Sequence, residues 1–353
     1  MNQNVTIVQI AEESGVSIAT VSRVLSGNVP VSPKTKARVE EVIKKYNYTP
    51  NSLAQGLILR QSKTLGVIVP DITNPYFSAL FNVIERAAHQ AHYSVILCNT
   101  SFTAASYADG EQENEDNYFR MVLEKKVDGV IIAGGQIDLC EISNDYKKAL
   151  KALASSIPVV VIGQSLPDIP CSFINLEQGK GIAVSIRYLA SLGHKRIAFV
   201  GGERGVAITE SRLEVYKSTI AKMHLDSDPN LISTSDYYLS DGYNAAKKIL
   251  ELEDPATAML AMNDNVAIGA IRAIADYYLT IPDDIALISC DQFFDGNFIT
   301  PRLTSLDQHT QALGLYVIQL LLSMIQGTEP PEKPDLSPNL VIRESSGKHI
   351  LRD

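Results

Sequence analysis

The sequence predicts an N-terminal all-α helix-turn-helix domain followed by an α/β domain built as two doubly wound parallel-sheet lobes. Three observations carry this reading. Residues 5–27 read as two short helices about a glycine. From residue 64 apolar strand-like runs alternate with amphipathic helical stretches, and the alternation starts afresh near residue 195.

The first helix begins at Thr6, with Gln9 three residues on to complete a capping box, and turns Ile7, Ile10 and Ala11 to one face. Gly15 supplies the positive φ of a tight turn. Ser17 then caps a second helix that carries Val21, Val24 and Leu25 inward. Small Ala11 and Gly15 let the helices cross closely, and the second helix is expected in the major groove of DNA with its N-terminal residues leading. A small helical hairpin of any origin shows this pattern, so the choice rests on a third helix and on charge. Ser32-Pro33 opens that third helix, with Val39, Val42, Ile43 and Tyr46 on one face. Residues 1–63 hold eight Lys/Arg against four Glu, a net of +4, while the 353-residue chain is −9, leaving −13 for the rest. A basic head on an acidic body suits a phosphate-binding module on something that avoids nucleic acid.

Residues 49–64 read as a linker, either a flexible tether or a very short helix with Leu53 and Leu57 on one face, which would be marginal alone in water. Beyond it, residues 64–71, 93–99, 127–135 and 157–164 are β-rich, and so are 195–202, 256–264 and 284–292. Ligands are expected at the carboxyl ends of such strands, in a cleft between the lobes. The acidic tract 108–126 reads as a charged helix with a solvated face.

No run of about 18 apolar residues predicts a membrane span. The polar start, MNQN, lacks the apolar core of a secretory signal, and four scattered cysteines show no metal-type pairing, so a reducing cytoplasm is expected. No dinucleotide fingerprint, P-loop, G-x-S-x-G or H-E-x-x-H occurs, so neither catalytic residues, nor a cofactor, nor a metal is expected.

Three runs in order, SIATVSRVL (17–25), VSPKTKARVEEVIKKYNYTPN (31–51) and LAQGL (53–57), resemble the lactose-repressor (LacI/GalR) family of bacterial transcription regulators. The resemblance continues over nearly the whole chain. It implies a DNA-binding domain at 1–49, a hinge helix at 50–63 and an effector-binding and dimerisation domain at 64–345 that resembles periplasmic sugar-binding proteins, with a tail at 346–353. Lobe 1 would comprise about 64–162 and 291–322, lobe 2 about 163–290 and 323–345, with crossings near Gly163, Cys290 and Leu322.

On DNA, Ile18 and Ala19 fall where the family varies to choose operators; they suit thymine methyls, and Ile18 also lies at the edge of the buried stripe. Thr20, Ser22 and Arg23 remain for bases and phosphates, Ser17, Ser32 and Thr35 for phosphates, while Thr6 and Tyr48 match backbone contacts. Leu57 matches a wedge driven into a central CG step, with Asn51, Ala54 and Gln55 beside it in the minor groove. Arg212, Asn263, Asp291 and Gln308 fall on effector-contacting positions, and Tyr76 and Phe77 match an aromatic pair of some members.

The implied function is a homodimeric regulator on a pseudo-palindromic operator, most simply a repressor of a carbohydrate-utilisation operon, switched by a sugar-like effector. The alternatives are a catabolite-control-type regulator with a phosphorylated carrier protein or small molecule as corepressor, and a non-regulatory sugar-binding protein. The chain departs from the family at Gly163-Gln164, Asn175-Leu176, Val215-Tyr216 and Ser289-Cys290-Asp291-Gln292, which points to an atypical ligand.

Overall fold

The computed structural model describes residues 5–26, 30–46, 48, 61–103, 115–177, 179–292 and 295–347. The chain divides into two compact units, Met1–Lys63 and Thr64–Asp353.

In the first unit, α1 (Ile7–Ser14) starts at Thr6, whose Oγ1 accepts from the Gln9 amide at 3.4 Å. The Gln9 side chain bonds to Glu13. Gly15 ends the helix at φ 62°, ψ 40° and returns its N–H to Ala11 and Glu12, a conformation a side chain would strain. Helices α2 (Ile18–Ser26) and α3 (Pro33–Tyr46) come next. Ile10, Ala11, Val21 and Val39 are buried at their junction, with Val24, Leu25, Val42, Ile43 and Tyr46 around them. Lys45 and Tyr46 both bond to Glu13, tying α3 to α1.

The second unit opens with β1 (Thr64–Val69), α4 (Pro75–Gln90), β2 (Ser94–Asn99), α5 (Asp116–Glu124), β3 (Gly129–Ala133), α6 (Asn144–Ser156), β4 (Val159–Ile162) and β5 (Ser172–Ile174). These strands form one all-parallel sheet in the order β2-β1-β3-β4-β5. Leu65, Val67 and Val69 face one apolar cluster and Ile68 another, because helices cover both faces. Each such fully buried aliphatic side chain contributes roughly 1.5–3 kcal/mol.

Next come α7 (Gly179–Ser191), β6 (Ile197–Val200), α8 (Ala207–Lys222), β7 (Ile232–Ser233), α9 (Leu239–Leu250), β8 (Ala258–Ala261), α10 (Asp264–Asp276), β9 (Ala286–Ser289), β10 (Thr304–Asp307), α11 (Thr310–Gln326) and β11 (Asn339–Val341). The second sheet runs β11-β10-β9-β8-β6-β7, parallel except for β11, which is antiparallel to β10. Without that edge strand its order matches the first sheet's, so the lobes repeat one winding. Helices α9 and α10 meet backbone to backbone: a Cβ on Gly242 would overlap the Val266 carbonyl, and one on Gly269 would overlap that of Leu239. Among the described residues, no helix is long and apolar enough to cross a membrane.

The chain passes between lobes later than expected. β5 bonds to β4, so the first passage comes after Ile174 rather than falling near Gly163. β10 bonds to β9, so the second comes after Asp307 rather than falling near Cys290. Helix α11 shares a core with Leu80 and Ile84 of α4, and β11 returns to β10, so the third lies between Gln326 and Asn339 rather than near Leu322. Hydrogen-bonded edge strands decide membership, and β5 has only three residues to announce it.

The acidic tract also departs from expectation. Its described part begins at Glu115, which is buried rather than solvated, and continues as a helix over Asp116–Glu124. Glu115 Oε1 accepts from the Gln136 amide at 3.3 Å, and burial pushes its carboxyl up to about 8.

Candidate functional site

Two regions bear on function, one in each unit. In the first, Ser17, Ile18 and Ala19 open α2 with their side chains in solvent, while Val21 one position beyond Thr20 is fully buried. Ile18 is 47% exposed and therefore stands clear of the core it was expected to border. Ser17 Oγ accepts from the Thr20 amide at 3.2 Å, and Ser32 Oγ does the same for Thr35 at 3.2 Å. In each pair the two hydroxyls also bond to each other, so both helix starts present hydroxyls beside backbone N–H groups, the arrangement that suits phosphate. Thr6 and Arg23 are exposed and Ser22 is half-buried. Tyr48 packs on the small core and donates its amide to the Ile43 carbonyl at 3.0 Å. The expected hinge contacts Asn51, Ala54, Gln55 and Leu57 lie outside the described residues.

In the second unit a cavity of about 380 Å³ lies between the lobes, of a size for a small organic ligand. It sits at the carboxyl ends of the strands, where β1 and β3 in one lobe and β6 and β8 in the other carry chain to opposite sides. Tyr76 and Phe77, from the first turn of α4, line it with ring centroids 5.0 Å apart, edge to face. Asn263 and Asp291 line the other side. Asn263 caps α10 by accepting from the Val266 amide at 2.9 Å, and its Nδ2 donates to the Tyr237 carbonyl at 3.1 Å.

Arg212 and Gln308 do not line the cavity; they support Asp291 from behind. Arg212 is fully buried and grips both carboxylate oxygens, Nη2 to Oδ1 at 2.7 Å and Nη1 to Oδ2 at 3.2 Å, while Nη1 also donates to the Met262 carbonyl at 2.6 Å. Gln308 bonds to Asp291 and donates to the Cys290 carbonyl at 2.8 Å. Burial pushes the Asp291 carboxyl up, and Arg212 and Gln308 pull it back.

The family departures have structural occupants. Gln164 donates from Nε2 to the Leu139 and Ile137 carbonyls, at 2.9 and 3.3 Å. Val215 lies where a Cβ on Gly179 would come within 2.7 Å, and Tyr216 donates to the Ile197 carbonyl at 2.6 Å. Ser289 Oγ stands 2.5 Å from Asp264 Oδ1 and 2.8 Å from the Asp291 carbonyl.

Sequence reasoning missed Asp71, Asp138, Tyr237 and Tyr238, which all line the cavity. Asp71 and Asp138 come soon after β1 and β3, so scoring every polar residue just past a strand end would have found them. Tyr237 and Tyr238 precede a helix in lobe 2, and only the tertiary fold aims them at the cleft.

A helix-turn-helix unit joined to a two-lobed α/β body with a ligand-sized cleft is the build of a ligand-responsive DNA-binding regulator. The model of "Bacterial regulatory proteins, lacI family" matches residues 6–51, and that of a periplasmic binding protein-like domain matches 186–346. A catabolite control protein A of Priestia megaterium is 34% identical, over 90% of this chain and 92% of its own length. A crystal structure of the lac repressor dimer bound to operator and the anti-inducer ONPF superposes with a TM-score of 0.82 at 26% identity, covering 98% of this chain and 99% of that one. A LacI family transcriptional regulator from Enterococcus faecium with bound ribose gives a TM-score of 0.67 at 27% identity, covering 80% of this chain and 98% of the other. The chain belongs to the lacI family of bacterial regulatory proteins and is a sequence-specific DNA-binding regulator.

Proposed function

We propose that this regulator represses a carbohydrate-utilisation operon as a homodimer on a pseudo-palindromic operator, and that a polar small molecule in the inter-lobe cleft sets its operator affinity. The observation that carries the switch is the cleft itself, walled by both lobes and bridged across them. Tyr238 of lobe 2 donates to Asp71 of lobe 1 at 2.8 Å, and the Cys140 amide donates to the Gly205 carbonyl at 2.9 Å. A ligand that touches both walls favours one lobe arrangement over another, and that difference is the coupling available to DNA binding. In the first unit, the exposed start of α2 with Ser17 to Thr20, Ser22 and Arg23 serves as the reading edge, with Thr6, Ser32, Thr35 and Tyr48 toward the backbone. Asn51, Ala54, Gln55 and Leu57 serve the hinge at a central CG step. Residues 1–49, 50–63 and 64–345 act as reader, hinge and effector domain.

A second reading, a catabolite-control-type regulator with a phosphorylated carrier protein or small molecule as corepressor, is favoured by the 34% identity to the Priestia megaterium relative. Fluorescence anisotropy on DNA from upstream of its own gene, titrated with pools of sugars, sugar phosphates and purines, tests both. A tenfold shift with one pool supports the small-molecule switch. Operator binding that no pool moves, but that a phosphorylated carrier protein strengthens, supports the second reading.

A further inference from the structure

Asp138 is a half-buried carboxylate of the cleft wall that the protein leaves unanswered. It lies at the end of a short 3₁₀ turn after β3, lines the cavity, and accepts no hydrogen bond from any described residue. Its neighbours are otherwise satisfied: Asp291 by Arg212 and Gln308, Asp71 by Thr73 and Tyr238. Gly163 lies against it, its missing Cβ 3.1 Å from Oδ1, and leaves the carboxylate open to an occupant. An acid partly withdrawn from water without a partner gives up part of its hydration with nothing in return, and burial alone pushes this one up to about 7.

The walls share its sign. Asp71, Glu203, Asp236 and Asp291 also line the cavity, and among the described residues lining it there is no Lys, Arg or His. Arg212 behind the wall offsets one carboxylate. The starts of α4, α8, α9 and α10 reach the cavity through Tyr76, Ala207, Tyr238 and Asn263, and each helix end contributes roughly half a positive charge. The cavity stays net negative. Aromatic side chains fill out the walls, Tyr76 and Phe77 on one lobe and Tyr237 and Tyr238 on the other, and their faces attract cations.

We propose that the cleft takes a ligand bearing a protonated amine, an amino sugar or an organic cation of similar size, with Asp138 as its counter-ion. This rests on the reading of the cleft as the effector site. The ammonium donates a charge-assisted hydrogen bond to Asp138, the aromatic walls cover the carbon skeleton, and phosphorylated or carboxylated ligands meet repulsion.

The test is operator anisotropy and thermal melting of the full-length protein with glucosamine, galactosamine, mannosamine, putrescine and choline. Matched controls are the parent hexoses, their N-acetyl forms and glucose 6-phosphate. At least one amine is expected to shift operator affinity tenfold at a concentration where its uncharged counterpart and the phosphate do nothing. Asp138→Asn is expected to erase that advantage while leaving ligand-free operator binding unchanged. The comparison of amine with N-acetyl form needs no variant and decides the matter if Asp138→Asn fails to fold. A neutral sugar or a phosphate acting more strongly than every amine overturns the amine and keeps the effector reading. Silence from every small molecule, with DNA binding intact, overturns both.

Discussion

Tyr238 and Asp71 join the two lobes directly: the phenol donates to Oδ2 at 2.8 Å across the mouth of the cleft. Asp71 is held by its own loop as well, since Oδ1 accepts from the Thr73 amide at 2.8 Å and from its hydroxyl at 2.7 Å. Burial raises the Asp71 carboxyl, but the bonds from Thr73 and Tyr238 outweigh it and hold the group below its ordinary value, ready to accept. Removing the hydroxyl in Tyr238→Phe forfeits about 1 kcal/mol of closure. Hydrogen exchange of peptides covering 70–76 and 236–242 is expected to quicken about fivefold, with the strands unchanged; equal rates would assign closure to other contacts.

Behind the cleft, Arg212 and Asp291 form an ion pair with the guanidinium fully buried. Arg212→Leu strands a carboxylate in the interior, at a cost of about 3–5 kcal/mol. Denaturant melts are expected to show that loss, and the double variant with Asp291→Asn to recover much of it. A double variant no better than the single one would mean that Arg212 acts mainly by filling space.

Glu115 makes stability depend on pH in the reverse of the usual sense for an acid. Its carboxyl titrates near the ordinary 4.5 when unfolded and at about 8 when folded. The unfolded chain releases the proton first, so stability is full below about pH 4.5 and falls as pH rises toward 8, by about 1.4 kcal/mol per unit at most. Thermal melts between pH 5 and 8 are expected to show that decline in the wild type and a flatter profile in Glu115→Gln. Parallel profiles would place the titrating group elsewhere.

Where α9 crosses α10, no room is left for a methyl group at residue 269. Gly269→Ala is expected to lower stability by about 3 kcal/mol, since the obstacle is a backbone carbonyl that no rotamer change can move. A melting temperature within a degree or two of wild type would mean that the helices separate freely.

On the DNA side, Arg23→Ala is expected to weaken operator binding severalfold and to reduce the slope of log affinity against log salt by about 1 if Arg23 meets a phosphate. Leu57→Ala is expected to weaken binding without changing that slope, because a wedge displaces no counterions. Anisotropy titrations at several salt concentrations measure both, and unchanged affinity in both variants would sink these roles.

The local elements of the reader were legible because each rests on a short-range rule: Gly15 at positive φ, Ser17 and Ser32 as caps, Val21 and Val39 turned inward. The strands of the body were legible for a similar reason, since buried parallel strands are unbroken apolar runs. Lobe membership was not. β5 offers three residues and β10 four, and both belong where they do only because a particular neighbour supplies hydrogen bonds.

The cleft divides along the same line. Tyr76, Phe77, Asn263 and Asp291 could be named from their places after strands and their match to a family pattern, and they line the cavity. That Arg212 and Gln308 stand behind Asp291, that Glu115 is buried and that Asp138 faces the cavity without a partner depend on contacts between segments far apart in the chain. The sequence by itself determined the helix-turn-helix and the doubly wound body, because caps, periodicity and charge act over a few residues, and its resemblance to a known family implied the class of protein. The tertiary structure alone decided which carboxylates are neutralised and which stay open to a ligand, because desolvation and ion pairing depend on what surrounds a group in space.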